Sequence, residues 1–196
     1  MNPALEQLTN ILSGIAPMDD REIQLLASLF KPKRLKKGEF FLQSGKVAYH
    51  VGYLYSGLVR YFVYKDGEES TFEFTKEGEF IADYQSFTKK TISLQNIQAI
   101  EDAELLIIQF DGLQQLFNGI RHGNLIGRRI IEHRFDVMVS QLLAIYMQSH
   151  EERYLRFTEQ YADLVQRIPQ YLIASYVGVQ PQSLSRIRRR FANKLS

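Results

Sequence analysis

The sequence predicts an α+β fold: an N-terminal antiparallel β-roll of the jelly-roll, double-stranded β-helix kind, then one long helix, then a C-terminal helix-turn-helix segment. Three observations predict it. Short β-rich runs punctuated by glycines fill residues 36–110, apolar residues recur at spacings of 4, 3, 4 and 3 through 131–145, and helical spacing resumes around a single glycine in QYLIASYVGVQPQSLSRIRRRF, residues 170–191.

In chain order, residues 3–16 and 19–30 carry helical spacing. The second stretch opens Asp19-Asp20-Arg21-Glu22, where Asp19 can cap the helix and Glu22 can reach back to it as in a capping box. Its apolar face is Ile23, Leu25, Leu26, Leu29 and Phe30. The runs VGYLYSG, LVRYFVYK, STFEF and ELLIIQF then alternate with Gly38, Gly45, Gly52, Gly57, Gly67 and Gly78, which can supply the positive φ of tight corners. Asp66-Gly67 predicts a hairpin turn. After Asp111 the pattern is helical, with breaks near 119–124, His150 and Pro169.

Within that region Ile131, Phe135, Met138, Leu142 and Ile145 form one seam, while Ile130, Val137, Val139, Leu143 and Tyr146 make other faces apolar. A helix with more than one apolar stripe must cover more than one neighbour. One stripe is expected on the β-roll and the seam on the same helix of a second subunit. The domain plan is then a sensor roll over 1–120, a dimerisation helix over 121–149 and a helix-turn-helix domain over 150–196.

The chain has 196 residues, 45% apolar and 23% charged, sufficient to bury a core. No apolar run approaches the roughly 18–20 residues of a membrane span, and MNPALEQLTN lacks a signal-peptide layout, so a cytoplasmic protein without membrane contact is expected. The absence of cysteine excludes disulfides, a thiolate nucleophile, cysteine-held iron–sulfur clusters and thiolate-ligated haem. From Arg167 onward six basic residues and no acidic ones occur, whereas 18 basic and 22 acidic residues precede it, so a segment of +6 follows a body of −4. Such asymmetry points to a polyanionic partner for the C-terminal end.

Counted from Gln170, the fourth, eighth, tenth, fifteenth and eighteenth positions of a helix-turn-helix should be apolar, the fifth small and the ninth glycine. Ile173, Val177, Val179, Leu184, Ile187, Ala174 and Gly178 meet all seven requirements. The small residue lets two helices cross closely, and the glycine permits a left-handed turn. Pro181 suits the first turn of the second helix, where an N–H is dispensable. With Leu184, Ile187 and Phe191 turned to the core, Gln180, Gln182, Ser183, Ser185, Arg186, Arg189 and Arg190 are left to meet bases and phosphates.

A β-roll, a long helix and a terminal helix-turn-helix in that order resemble the Crp/Fnr superfamily of bacterial transcription regulators. KKGEFFLQSG, YLYSGLVRYFVYKDGEE, GEFIADYQSF at the phosphate-cassette position and the terminal motif carry the resemblance over nearly the whole chain. It implies a cyclic-nucleotide-binding-domain-like roll and a homodimer joined through the 131/135/138/142/145 seam. It also implies two recognition helices on double-stranded DNA, with operator half-sites about 34 Å apart, and allows RNA polymerase as a further partner. Arg186 falls on the family's guanine-reading arginine, Gln182 stands where the type member has glutamate, and Pro181 replaces a basic residue, so the target preference should differ. Because the sequence stops at Ser196, a short or missing wing is expected.

The effector pocket implied by the resemblance comprises Gly78, Phe80, Ala82, Asp83, Ser93 and Leu94. Nucleotide-binding relatives have a Gly-Glu pair where Ala82-Asp83 stands, and an Arg-Ser or Arg-Thr pair where Ser93-Leu94 stands. A buried phosphodiester without its cation is costly, and the flexible ammonium of Lys89 or Lys90 does not reproduce an arginine fork. No cofactor is therefore assigned, and an effector other than cyclic AMP is expected. The histidines, His50, His122, His133 and His150, lack metal-ligand spacing and read as ordinary loop or helix residues. No phosphate-binding Gly-rich loop, GxSxG motif or catalytic carboxylate pair supports an enzyme. Two alternatives stay open: a cyclic-nucleotide-responsive regulator using lysines for the phosphate arginine, and a signalling module that does not touch DNA.

Overall fold

The computed structural model describes residues 2–194. Two helices come first, α1 (Pro3–Ile15) and α2 (Asp20–Leu29). Asn2 caps α1 through its side-chain oxygen, which accepts from the Ala4 N–H at 3.0 Å, and Pro3 occupies a first-turn position where no N–H is needed. The capping box of α2 is present: Asp19 accepts from the Glu22 N–H and Glu22 from the Asp19 N–H, both at 2.9 Å.

The roll follows: β1 (Lys31–Leu35), β2 (Phe40–Leu42), β3 (His50–Ser56), β4 (Val59–Lys65), β5 (Glu68–Thr75), β6 (Phe80–Ile81), α3 (Tyr84–Lys89), β7 (Asn96–Ala99) and β8 (Ala103–Gln109). The strands form two four-stranded sheets, ordered β1-β8-β3-β6 and β2-β7-β4-β5. In the first, antiparallel register sets Val51 opposite Ile108, Tyr53 opposite Leu106 and Gly52 opposite Ile81. Tyr53, Leu54, Leu58, Val59, Ile81 and Ile97 are fully buried, the outcome expected when two sheets turn apolar faces inward.

At the β4–β5 corner Asp66 and Gly67 both have positive φ, 55° and 82°, as a type I′ hairpin demands. Gly38, Gly45, Gly57 and Gly78 also take positive φ, but Gly52 does not. Its reason is close packing instead: a Cβ there would lie 3.0 Å from Ile81 and 3.1 Å from the Phe41 ring.

Past the roll lie α4 (Phe110–Gly119), α5 (Gly123–Met147), α6 (His150–Gln160), α7 (Gln170–Val177) and α8 (Pro181–Lys194). Residues 161–167 form consecutive turns where the helical pattern was expected to continue to Pro169. There i→i+3 bonds, from Leu164 N to Tyr161 O and from Arg167 N to Leu164 O, mix with i→i+4 bonds from Val165 N to Tyr161 O and Ile168 N to Leu164 O in place of a regular helix, and Pro169 disfavours helix in the residue before it.

The chain divides into two compact units. One runs to Tyr61 and resumes over Phe74–Arg134; the other combines Phe62–Glu73 with the chain from Phe135 onward. All five seam residues of α5, Ile131, Phe135, Met138, Leu142 and Ile145, are 44–58% exposed. Leu143 and Tyr146, expected to cover a second face, are 50% and 80% exposed, so this chain leaves them uncovered as well.

Candidate nucleic-acid interface and effector pocket

The C-terminal unit builds a helix-turn-helix from the inside out. Leu172, Ile173, Ala174 and Val177 of α7 and Leu184 and Ile187 of α8 are each at most 4% exposed. Ala174 accepts from both the Gly178 and Val179 N–H groups at 2.9 Å, and Gly178 takes φ +82°, the left-handed cap that turns the chain toward α8. Phe191 packs its ring 6.1 Å from that of Tyr154.

Two side chains from α6, neither apparent from the motif, brace this turn. Arg153 Nη2 donates to the Tyr176 carbonyl at 2.9 Å, and His150 Nδ1 lies 3.1 Å from the Val177 carbonyl, which can only accept, so Nδ1 carries the proton. A signal was available in the sequence: α6 follows a capping box, Ser149 with Glu152, which places residues 150 and 153 on one face a single turn apart. The Ser149 backbone and hydroxyl hold the Glu152 carboxyl below its usual range.

On α8 the arginines divide into two groups. Arg188 donates to Gln170 Oε1 at 2.5 Å and Arg190 pairs with Glu151 of α6. Arg186 and Arg189 are exposed and have no such partner among the described residues. Gln180, Gln182 and Ser185 are exposed and Ser183 is half-buried. Ser185 Oγ donates to the Pro181 carbonyl at 3.1 Å, and Gln180 offers its carbonyl to the Ser183 and Leu184 N–H groups at the start of the helix. No residue of α8 is acidic.

The residues assigned to the effector pocket lie in the other unit. Gly78 turns with φ +88° and donates to the Leu54 carbonyl, while the Phe80 ring packs 5.4 Å from that of Tyr53. Asp83 caps α3, its carboxylate accepting from the Ser86 N–H at 3.0 Å. The Ala82 N–H donates to the hydroxyl of Tyr61 at 3.0 Å. Ser93 is buried, and its hydroxyl both donates to the Gln95 carbonyl and accepts from the Gln95 N–H. Leu94, 82% exposed, faces solvent and is not brought together with the others. Lys90 ends α3 in a left-handed conformation with its ammonium 5.1 Å above the Phe87 ring and 4.7 Å above the Phe110 ring. Lys89 is exposed.

A cleft of about 270 Å³ lies along residues 40–43 and 46–50, and none of Ala82, Asp83 and Ser93 lines it. His50, expected in a loop or helix, begins β3; burial together with Lys33 and Lys90 lowers its pKa. Among the described residues no three His, Cys, Asp or Glu side chains are grouped to hold a metal ion, and no helix is long and apolar enough to cross a membrane.

Residues 32–119 match the family model of the cyclic nucleotide-binding domain. No curated protein sequence matches the chain. Among solved structures, the catabolite activator protein of Thermus thermophilus is similar at 20% identity and TM-score 0.57, over 94% of this chain and 87% of that one. The c-di-GMP responsive global regulator CLP of Xanthomonas campestris is similar at 18% identity and TM-score 0.65, over 90% and 93%. A cyclic nucleotide-binding domain containing protein of Listeria monocytogenes is similar at 14% identity and TM-score 0.71, over 96% and 91%.

Proposed function

We propose that this chain, a cyclic-nucleotide-binding-domain roll within the Crp/Fnr fold, is a transcription regulator that binds a near-palindromic operator in double-stranded DNA as a homodimer. Control lies with a small effector other than cyclic AMP, and RNA polymerase is a further partner in this reading. Residues 1–120 act as the sensor, 121–149 as the dimerisation helix and 150–196 as the DNA-binding domain. No catalytic role is assigned.

One observation carries the reading: α8 follows a glycine-turned α7 and presents Gln182, Arg186 and Arg189 on an exposed face without an acidic residue. Arginine can pair bidentately with guanine and glutamine with adenine in the major groove, while serines and Arg189 position the helix on phosphates. Acidic side chains on that face would repel the same phosphates.

A gel shift with genomic fragments over a salt series tests it. Binding should weaken steeply as salt rises, and Arg189→Ala should reduce the log–log slope by about one, the effect of one lost phosphate contact. Arg186→Ala should cost about 1–3 kcal/mol and relax the preference at one base pair. If no fragment shifts even at low salt, the signalling module without DNA binding becomes the better account.

A further inference from the structure

We infer that Tyr61 fills the nucleotide cassette from within, taking the position a ligand's anionic oxygen would take, and so sets the ligand specificity of the roll against cyclic nucleotides. Tyr61 belongs to β4 in one sheet, whereas Ala82 directly follows β6 in the other. The bond from the Ala82 N–H to Tyr61 Oη therefore spans the interior between the sheets, and Tyr61 is only 2% exposed.

The amide of Ala82 has one hydrogen, and a phosphate oxygen aligned with it at bonding distance would overlap the tyrosine oxygen. The neighbouring polar groups are committed as well. Asp83 is engaged with Ser86, Ser86 accepts from the Ala48 N–H and donates to the Thr91 carbonyl, and Ser93 closes a turn with Gln95. Arg60 is the nearest buried cation in sequence, but it alternates with Tyr61 along β4 and so projects from the opposite strand face. Its Nε and Nη2 donate to Gln98 Oε1 at 3.0 and 2.7 Å. An incoming phosphodiester would have to expel a buried aromatic ring, and Arg60, held by Gln98 on the other face of β4, is not directed toward it.

The test uses calorimetric titration of the full chain with cyclic AMP. Wild type should give no binding heat, and Ser93→Arg alone should give none or weak binding, because the ring still blocks the site. Tyr61→Val with Ser93→Arg restores both space and charge and should bind at least about tenfold more tightly than Ser93→Arg alone. A second readout keeps the ring: Tyr61→Phe should speed hydrogen exchange at the Ala82 amide by about tenfold or more, since that amide loses its acceptor.

Equal affinity for Ser93→Arg and the double variant would overturn the inference, as would a double variant that melts cooperatively yet gives no heat, or an Ala82 amide indifferent to Tyr61→Phe. Neither measurement involves DNA, so failure of α8 to bind an operator would leave this inference standing. Binding of cyclic AMP to the wild type would sink both this inference and the proposed exclusion of that effector.

Discussion

Tyr53 shows how a single residue's surroundings set a measurable property. It is fully buried on β3, and its hydroxyl donates to Gln7 Oε1 at 2.8 Å. Burial first, and Tyr55 second, push its pKa from 10.0 up to about 12. A pKa raised by folding favours the protonated form in the native state, so the associated stability is intact below pH 10 and is lost as pH rises toward 12. The loss should amount to about 2–3 kcal/mol across that window. Urea unfolding measured from pH 9 to 12 should show a steeper decline for wild type than for Tyr53→Phe, and parallel curves would contradict this account.

At the scale of elements, the turn between α7 and α8 joins a backbone requirement to a packing one. Gly178 needs φ +82°, and a Cβ there would sit 2.8 Å from Nη2 of Arg153, the group that caps the Tyr176 carbonyl. Gly178→Ala thus meets the left-handed penalty and displaces a partly buried guanidinium. A destabilisation of about 1–3 kcal/mol is expected in denaturant melts. Operator binding should fall with it, because a shifted turn misdirects α8. Arg153→Ala should weaken the same turn while leaving φ unstrained, so the two variants together separate strain from lost bracing. The capping box of α2 and the hairpin corner at Asp66-Gly67 were legible in the sequence because each depends on contacts within four residues. For His150 and Arg153 the local spacing marks only that they share a face of α6; which carbonyls they brace was not legible, because those bonds join residues more than twenty positions apart.

For the molecule as a whole, the question is what covers α5. Its seam is 44–58% exposed, and Leu143, Tyr146 and Met147 add 50%, 80% and 76%. A contiguous apolar stripe of this kind on a 25-residue helix is a surface that association would remove from water. Sedimentation should show wild type as a dimer and Phe135→Asp as a folded monomer. Because Phe135 is 58% exposed, that change should alter the stability of the single chain by no more than about 0.5 kcal/mol. A wild type that sediments as a monomer at tens of micromolar would count against the dimer. The Phe135→Asp monomer should also lose operator affinity, since each half-site would then be bound alone.

The sequence by itself determined the features encoded by short-range period and local chemistry: the order of roll, long helix and helix-turn-helix, the glycine at the α7–α8 turn, and a basic end free of acidic residues. These follow from spacings of two, three and four residues and from backbone preferences that need no distant partner. Tertiary structure alone decided which side chain meets the Ala82 amide and which arginines of α8 remain unengaged. Tyr61 lies 21 residues from Ala82, and Glu151 lies on a different helix from Arg190. Whether such groups meet depends on how strands and helices stack in three dimensions, and one-dimensional alternation marks a tyrosine as inward without saying which amide it will reach.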